Sequence, residues 1–272
     1  MSFLRGYTQI MNSKILILSL HRVGYPPKNA TIRGLFVTPR LLSFEIWLLS
    51  KFGYKFTTLK DAVLGSKGKH AVITFDDGYE DNFTAALPVL ERYHAPATIF
   101  VVTADVGKKA VVWEEAGEKL PADMVSWKML AELQSRGWEI GSHGANHVHF
   151  EERTQEQQEA LICQSVWEIE KRLGTVPISF AYPYGTFNET TKKILGRFGI
   201  RFAVTTVCPN STDLTARGDL LELKRIPIGG RKYHHYIKAI LRTFRAMGVA
   251  EMFRVLMPES EARYVPELTV KD

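Results

Sequence analysis

Short apolar runs alternate with longer segments of helical periodicity along this 272-residue chain. Short apolar runs bounded by polar residues are typical of buried strands, whereas apolar positions three and four apart are typical of helices. Strands and helices in succession favour an α/β fold on a mainly parallel sheet, and seven strands suit an incomplete or distorted barrel better than a flat sandwich. The predicted strands are Ile15–Leu20, Ala71–Phe75, Ala97–Thr103, Trp138–Ser142, Ile178–Tyr182, Phe202–Thr206 and Leu223–Ile228.

Helices are predicted between these strands. Thr38 and Pro39 match an N-cap and a first-turn proline, because that position leaves a backbone donor unpaired anyway, and this helix should end before Gly53. The segment from Ala104 to Ala122 has no clear period and is predicted to be a loop over one rim. The other predicted helices are Phe83–Tyr93, Trp127–Ser135, Gln155–Leu173 and Glu189–Phe198, with Gly137, Gly174 and Gly199 as C-terminal stops.

The composition is that of a soluble globular protein, with 45% hydrophobic and 24% charged residues. The apolar run Ile15–Leu20, six residues counting Ser19, is shorter than the roughly 20 residues that cross a bilayer and shorter than the apolar region of a secretory signal. We therefore expect no membrane span and a cytoplasmic protein whose mature chain starts near Met1. The two cysteines, Cys163 and Cys208, are too few for a disulfide framework or a cysteine-rich zinc site, and we expect reduced, buried thiols.

Basic residues outnumber acidic ones by 35 to 29, and a net charge of +6 favours anionic partners. The excess is partly local, because the stretch from Arg231 to Arg254 has six basic residues and one acidic residue, Glu251. Its apolar residues roughly follow helical spacing. It is therefore predicted to be a basic amphipathic helix that either packs on the domain or makes peripheral contact with the inner face of a membrane. No motif supports nucleic-acid binding, and the sequence indicates no oligomeric state.

Two adjacent acids, in Thr74-Phe75-Asp76-Asp77-Gly78, follow a predicted buried strand. Adjacent carboxylates repel each other and lose hydration when buried, so a cation or a shared proton is commonly nearby. An Asp-Gly turn at a strand end can bring both acids to one rim, with one holding a metal ion and the other free to act as a base. The alternative is an ordinary turn that caps the next segment.

The second motif, Ser142-His143-Gly144-Ala145-Asn146-His147, also follows a strand. Histidines four apart face the same way on a helical turn and can hold one ion. A catalytic zinc site needs about three protein ligands and one open position, and Asp77, His143 and His147 supply that number. The chain has no His-Glu-x-x-His, which disfavours a zinc peptidase. The alternative is a solvated histidine pair, and His149 is expected to be a loop residue beside it.

The third motif, Phe180-Ala181-Tyr182-Pro183-Tyr184-Gly185, is an aromatic turn after another strand. Together with Trp113 in the predicted rim loop, Tyr182 and Pro183 are candidates for binding a sugar, and the N–H of Tyr184 could stabilise a developing oxyanion. The alternative is routine packing of Tyr and Pro at a strand end. Two further candidates are His21, as a proton donor to a leaving amine, and Arg225, as a partner that keeps Asp76 ionised, although either could serve structure alone.

These motifs, in this order, resemble those of the polysaccharide deacetylases of the NodB-homology type, the fourth carbohydrate esterase family. The resemblance covers about Ile15 to Gly230 and implies an α/β fold, a distorted, incomplete (β/α) barrel, in which an ion activates water for attack on an N-acetyl carbonyl. It implies that Asp76 is the base. Its implied ion is a divalent metal, Zn²⁺ foremost with Co²⁺ or Ni²⁺ as alternatives, held by Asp77, His143 and His147.

The departures from the family pattern concern the base and the acid. Many members carry Arg-Pro-Pro-Tyr where this chain has Ala181-Tyr182-Pro183-Tyr184, so the arginine that steadies the base is missing there and Arg225 is the candidate replacement. Leu223-Lys224-Arg225 stands where the late Leu-x-His motif would supply the acid. Leu20-His21-Arg22-Val23 resembles the early histidine motif of permuted relatives that act on exopolysaccharides, which implies that His21 protonates the departing amine.

The predicted organisation is a catalytic domain over residues 12–230 and a basic segment over residues 231–272. The predicted function is metal-dependent removal of N-acetyl groups from sugars in a polysaccharide, an oligosaccharide or a lipid-linked glycan. Two alternatives stay open, since fold alone does not fix a substrate. One is a non-catalytic carbohydrate-binding barrel, and the other is a metal amidase that acts on a non-sugar amide or cyclic imide.

Overall fold

The computed structural model describes residues 13–65, 68–109, 111, 120–207 and 219–229. In this part of the chain ten strands form one large sheet and one small separate pair. The strands are β1 (Ser13–Leu20), β2 (Arg22–Val23), β3 (Phe36–Val37), β4 (Lys55–Thr57), β5 (Gly68–Phe75), β6 (Thr98–Val101), β7 (Glu139–Ser142), β8 (Ser179–Ala181), β9 (Phe202–Val204) and β10 (Ile226–Pro227).

The large sheet is parallel, with the strand order β10-β1-β5-β6-β7-β8-β9. Strand β5 pairs with β1 along its whole length, whereas its other edge is shared by β4 at the start and β6 at the end. The segment that leads into β10 contacts both outer strands, because Leu223 bridges to Val204 of β9 and Ile226 pairs with Leu18 of β1. The sheet therefore curls into the distorted, incomplete (β/α) barrel that the apolar pattern predicted.

Six α-helices flank the sheet in the described residues. They are α1 (Pro39–Lys51), α2 (Leu59–Leu64), α3 (Leu87–Glu91), α4 (Trp127–Ser135), α5 (Gln155–Leu173) and α6 (Glu189–Arg197). At the start of α1 the side chain of Thr38 accepts a hydrogen bond from the N–H of Leu41, and Gly174 ends α5 with a left-handed φ of 68°. Both features confirm the predicted cap and stop.

The predicted helix Phe83–Tyr93 is irregular in the structure. It starts as a π-helical turn, Asn82–Ala86, and continues as α3. Pro88 has no N–H to donate to the carbonyl four residues earlier, so a wider turn replaces regular helix before it. The predicted helix is therefore present, but its first turn is π-helical and it ends at Glu91.

The seven predicted strands are all observed, and their ends differ from the prediction by at most three residues. The structure adds β2, β3, β4 and α2, which are two to six residues long and too short to show a period. Cys163 is exposed on α5, so the expectation of a buried thiol is wrong for this residue. Three predictions fall outside the described residues: those for Cys208, for Trp113 and for residues 231–272, which include the predicted C-terminal helix.

Alternate side chains of the strands enter different parts of the core. In β1, Leu16, Leu18 and Leu20 pack in the cluster shared with the surrounding helices, whereas Ile15 and Ile17 pack with side chains from the inner faces of β5, β6, β8 and β9. Because the strands are parallel, their carboxyl ends meet at one rim, and the polar residues that follow them are brought together there. Within the described residues, no helix is long and apolar enough to span a bilayer.

Candidate active site and metal centre

The two adjacent acids lie in a tight turn at the carboxyl end of β5. The N–H of Asp76 donates to the carbonyl of Leu20 at 2.9 Å, which continues the pairing with β1. Asp77 then takes a left-handed conformation (φ 75°), as does Gly78 (φ 79°), a backbone region that is costly for residues other than glycine. This turn places both buried carboxylates at the rim, as predicted.

The two predicted histidine ligands follow β7 in an irregular loop. The N–H of His143 donates to the carbonyl of Val101 at 2.9 Å, and Gly144 has a positive φ of 83°. The loop is not a helical turn, so that part of the expectation is wrong. The His143 ring is oriented by a hydrogen bond from its Nδ1 to the carbonyl oxygen of Ala181, 2.7 Å away. Because a carbonyl only accepts, Nδ1 carries the proton, and Nε2 is available as a ligand.

Both imidazoles face the same carboxylate oxygen. The distances from Oδ1 of Asp77 are 3.3 Å to Nε2 of His143 and 3.6 Å to Nε2 of His147, and the three candidate ligand atoms lie within 4.8 Å of one another. Ligand atoms bound to one tetrahedral Zn²⁺ at about 2.0–2.2 Å would be roughly 3.3–3.6 Å apart. Oδ1 is buried and has no well-aligned hydrogen bond from the described residues. The group therefore fits a divalent metal ion.

Two features of the surroundings prepare these ligands. Burial lowers the pKa of His147 to about 4, so that its imidazole is neutral at neutral pH. Burial and the neighbouring Asp77 carboxylate raise the pKa of Tyr79 well above its ordinary value, and the protonated phenol donates a hydrogen bond to that carboxylate. The neutral imidazole is therefore free of the proton that would compete with an ion, and the contact with Tyr79 helps to orient the Asp77 carboxylate.

The other acid, Asp76, is paired with a buried arginine. Nη1 and Nη2 of Arg225 each donate to one carboxylate oxygen of Asp76 at 2.7 Å, and the guanidinium also donates to Oγ1 of Thr74 and to the carbonyl of Thr205. Burial alone would raise the pKa of Asp76, but the charge and hydrogen bonds of Arg225 hold it well below its ordinary value. Asp76 is therefore an ionised carboxylate. The structure thus shows the pairing of Arg225 with Asp76 that the sequence suggested.

His21 lies at the end of β1 on the other side of Asp76. Its Nε2 is 3.9 Å from Oδ2 of Asp76, and its side chain is 31% exposed. The ring therefore borders both the buried Asp76 carboxylate and solvent.

The aromatic turn after β8 closes the opposite side. Tyr184 has a left-handed backbone (φ 59°), its ring stacks on His149 with centroids 3.8 Å apart, and it contacts the ring of His147 edge-on at 4.4 Å. His149 lies outside the candidate ligand group, as expected. Tyr182 is buried and its hydroxyl donates to the carbonyl of Leu221, and the residue also lines the cavity between these groups. Pro183 is also buried.

A cavity of about 170 Å³ joins these groups. Its polar lining includes His21, Asp76, Asp77, His143 and His147. A space of this size takes a small chemical group and a water molecule, and a larger ligand would extend beyond it, since sites for larger ligands start at about 300 Å³.

The family follows from comparison with known proteins. A family model described as polysaccharide deacetylase matches residues 65–203, just over half of the chain. This chain belongs to the polysaccharide deacetylase family. The match includes the Asp-Asp-Gly turn, the histidine loop and the aromatic turn, whereas His21 and Arg225 lie outside it.

Individual relatives agree with this family assignment. The Staphylococcus aureus poly-beta-1,6-N-acetyl-D-glucosamine N-deacetylase is 29% identical over 225 residues, 76% of this chain and 72% of the relative. YxkH of Bacillus subtilis, provisionally named a polysaccharide deacetylase, is 31% identical over 160 residues, 57% of this chain, and the chain spans about half (53%) of that relative's length. The solved structure of the Streptococcus pyogenes deacetylase PplD in complex with acetate is 26% identical, with a TM-score of 0.65 over 79% of this chain and 92% of that chain.

Sequence reasoning missed several residues of this polysaccharide deacetylase site. Tyr79 contacts Asp77, and Ile32, Leu35 and Thr206 line the cavity. Tyr79 could have been found from its position directly after the Asp-Asp-Gly turn. Ile32 and Leu35 come from an irregular segment that carries no periodic signal, and Thr206 lies at the end of a predicted strand without a motif of its own.

Proposed function

We propose that this protein is a metal-dependent hydrolase that removes N-acetyl groups from N-acetylated sugars of a polysaccharide, an oligosaccharide or a lipid-linked glycan. The observation that carries the proposal is the convergence of Asp77, His143 and His147 on one point, beside an ionised Asp76, in a member of the polysaccharide deacetylase family.

The candidate ion is Zn²⁺, because one carboxylate and two imidazoles are ligands that it commonly takes in catalytic sites; Co²⁺ or Ni²⁺ suit the same donors. A divalent ion bound there would polarise the acetyl carbonyl and lower the pKa of water toward about 7. The three ligands leave room for such a role, since a catalytic site keeps at least one position open.

The chain's own residues would carry the proton transfers. Asp76, held ionised by Arg225, accepts a proton from the attacking water, and the new C–O bond forms at the acetyl carbon. The N–H of Tyr184 stabilises the negative charge that develops on the carbonyl oxygen. His21 donates a proton to the amine nitrogen as the C–N bond breaks, so that the products are acetate and a free amino sugar.

The remaining predictions concern partners and location. The glycan reaches the site across the open rim of the cavity. Peripheral membrane contact would use the basic segment 231–272, outside the described residues, and together with a cytoplasmic location and an absence of nucleic-acid binding it stays a prediction from the sequence. Cell fractionation with an antibody to the native protein tests the location.

Metal analysis combined with acetate release tests the function. We expect the purified protein to contain a divalent ion and to release acetate from N-acetylated oligosaccharides, with loss of activity on treatment with a chelator. Asp77→Ala should lose metal and turnover together, whereas Asp76→Asn should keep the metal and lose turnover. Undiminished turnover by Asp76→Asn would refute the role of that acid. Metal without any acetate release would favour a non-catalytic binding protein, and activity on small amides alone would favour a non-sugar amidase.

A further inference from the structure

A buried asparagine holds the backbone of His21. Nδ2 of Asn82 donates to the carbonyl oxygen of His21 at 2.7 Å and to Oδ1 of Asp81 at 3.2 Å. Asn82 has no exposed surface and opens the π-helical turn that follows the Asp-Asp-Gly turn. It therefore ties the end of β1 to the segment that carries the metal ligand Asp77.

The neighbouring acid holds the two residues after His21. Oδ1 of Asp81 accepts the N–H of Val23, and its Oδ2 accepts Nε of Arg22, both at 2.9 Å. The guanidinium carbon of Arg22 lies 4.7 Å from the ring centroid of Phe36 and 4.9 Å from that of Tyr79, which fixes the other face of this side chain. The peptide groups that follow His21 are thus bonded to Asp81 and Asn82, which we name the Asp81–Asn82 clamp.

The clamp acts on a segment whose other supports come after His21: Val23 is buried in the core, and the N–H of Gly24 donates to the carbonyl of Val37 at 2.8 Å. After β1 ends at Leu20, the chain forms only the two-residue strand β2, which pairs with the two-residue strand β3. A small rotation of the peptide at His21 would move the imidazole ring along the rim. Misplacement of a catalytic group by about 1 Å can lower the rate about 100-fold. The position of the imidazole therefore depends on the clamp.

Asn82 is also an unfavourable choice for stability alone. Its Oδ1 is buried without a hydrogen-bond partner in the described part of the chain, and such an atom costs free energy that an apolar side chain would not. A role in holding His21 accounts for this amide at a fully buried position.

We propose that the Asp81–Asn82 clamp positions His21 to protonate the departing sugar amine. The inference rests on the proposed deacetylase function. The clamp residues do not touch the reacting atoms, so they are positioning residues, and their effect should be confined to reactions that need a proton donor.

The test compares two substrates that differ in leaving group. An N-acetylglucosamine oligosaccharide releases a poor leaving group that needs a proton, whereas 4-nitrophenyl acetate releases a phenolate that does not. The variants are Asn82→Ala and Asn82→Leu, and the leucine keeps a similar side-chain volume but has no donor to the His21 carbonyl. The control is Thr98→Val, which removes hydrogen bonds to Leu59 and Glu139 at a fully buried position at the amino end of β6.

We expect both Asn82 variants to lower kcat for the oligosaccharide about 10- to 100-fold and to change ester hydrolysis less than about 3-fold, with Thr98→Val close to wild type on both. In a His21→Ala background, Asn82→Ala should have little further effect on the oligosaccharide. An equal fall on both substrates, full additivity with His21→Ala, or an unchanged kcat would overturn the proposal.

A readout that does not need turnover separates this inference from the proposed function. The imidazole resonances of His21 in NMR spectra should shift or broaden in Asn82→Leu and not in Thr98→Val. Unchanged His21 resonances would overturn the clamp even if wild-type protein deacetylates sugars. Conversely, suppose that the wild-type protein releases no acetate while the His21 resonances respond to Asn82→Leu. That result would refute the proposed function and the proton-donor role, and would leave only a clamp on the loop.

Discussion

Asp76 and Arg225 form a fully buried ion pair that joins two distant parts of the chain, 149 residues apart. Both donors of the guanidinium edge meet both carboxylate oxygens, which is the geometry in which a buried charge is best compensated. Buried pairs of this kind contribute little net stability, because desolvation offsets most of the attraction. What the pair does provide is an ionised Asp76 carboxylate beside the candidate metal ligands.

Removal of one partner should therefore be costly in a specific way. Arg225→Met leaves the Asp76 carboxylate buried without a counter-charge, and we expect a loss of about 3–5 kcal/mol in the free energy of unfolding. Turnover should fall while bound metal is kept, because burial then favours the protonated acid, which cannot accept a proton. Arg225→Lys should recover part of the stability and less of the activity, since lysine cannot form the two parallel hydrogen bonds.

A double variant checks the explanation. Asp76→Asn combined with Arg225→Met removes both charges and should be more stable than Arg225→Met alone in urea denaturation, although it should stay inactive. Equal stability of the single and double variants would mean that Arg225 acts through packing and not through charge compensation.

At the scale of elements, tight turns after the strands carry the site and depend on glycine. Gly185 follows Tyr184 with a φ of 76°, and a Cβ there would overlap Oγ1 of Thr206 and lie 2.8 Å from its Cβ. Gly53, at the end of α1, has the same φ of 76° with no described atom within 4 Å of such a Cβ. The two positions share a backbone cost and differ in what surrounds them.

Alanine at these positions should separate conformation from contact. Gly53→Ala should cost about 1–2 kcal/mol from the left-handed backbone and leave turnover unchanged. Gly185→Ala should cost about 1–3 kcal/mol more, because the turn and Thr206 must move apart, and turnover should fall as the Tyr184 ring leaves His147 and His149. The measurements are chemical denaturation and acetate release, and equal effects of the two substitutions would contradict this account of the turn.

Helix α1 contains an acid in an apolar setting. Glu45 is 1% exposed, neither carboxylate oxygen has a hydrogen-bond partner among the described residues, and burial raises its pKa from 4.5 to about 8. The folded state therefore binds this proton more tightly than the unfolded state. The resulting stability is fully present below about pH 4.5 and is lost as the pH rises toward about 8.

Glu45→Gln should remove this pH dependence. Between about pH 5 and 8 the wild-type free energy of unfolding should decline more steeply than that of the variant, by up to about 1.4 kcal/mol per pH unit. Glu170→Gln, at an exposed position of α5, is the control and should follow the wild type. Parallel pH profiles for wild type and Glu45→Gln in guanidinium denaturation would show that the carboxyl group is not buried in this way.

Elements with a clear period could be predicted from the sequence, and those set by tertiary contacts could not. Helices α4 and α5 begin and end at the predicted residues because their caps and stops are local signals. The two-residue strands β2 and β3 exist only because each pairs with the other, and the π-helical turn before Pro88 reflects a missing donor combined with the bond from Asn82 to His21. No local pattern contains that information.

At the scale of the whole molecule, strand order explains why the candidate site could be predicted in part. The ends of β5 and β7 were recognisable as polar sites after apolar runs, so Asp76, Asp77, His143 and His147 could be named as a group. That Arg225 meets Asp76 follows from the position of β10 beside β1, which is next to β5 in the sheet. A sheet order of this kind is a property of the folded chain. From the sequence alone, Arg225 could either pair with Asp76 or serve structure alone.

The parallel sheet also makes the ion a link between two separate loops. Asp77 follows β5 and both histidines follow β7, with β6 between these strands, so a bound ion ties together segments that are far apart along the chain. An ion that binds the folded state alone stabilises it by about 2.7 kcal/mol at 100 times its Kd. For a protein of this size, about 2–4 °C in Tm corresponds to each kcal/mol, so Zn²⁺ should raise Tm by about 5–10 °C over the chelated protein.

The ligand assignment predicts which variants keep this effect. Asp77→Ala should lose the Zn²⁺-dependent rise in Tm because a charged ligand is missing. Asp76→Asn should retain it, since both Asp76 oxygens pair with Arg225, whereas His143 and His147 face Asp77. Differential scanning calorimetry with Zn²⁺ and with chelator measures both. A full Tm rise in Asp77→Ala would place the ion elsewhere, and loss of the rise in Asp76→Asn would make that acid a ligand. Either result would contradict the assignment of Asp77 as the ligand and Asp76 as the base.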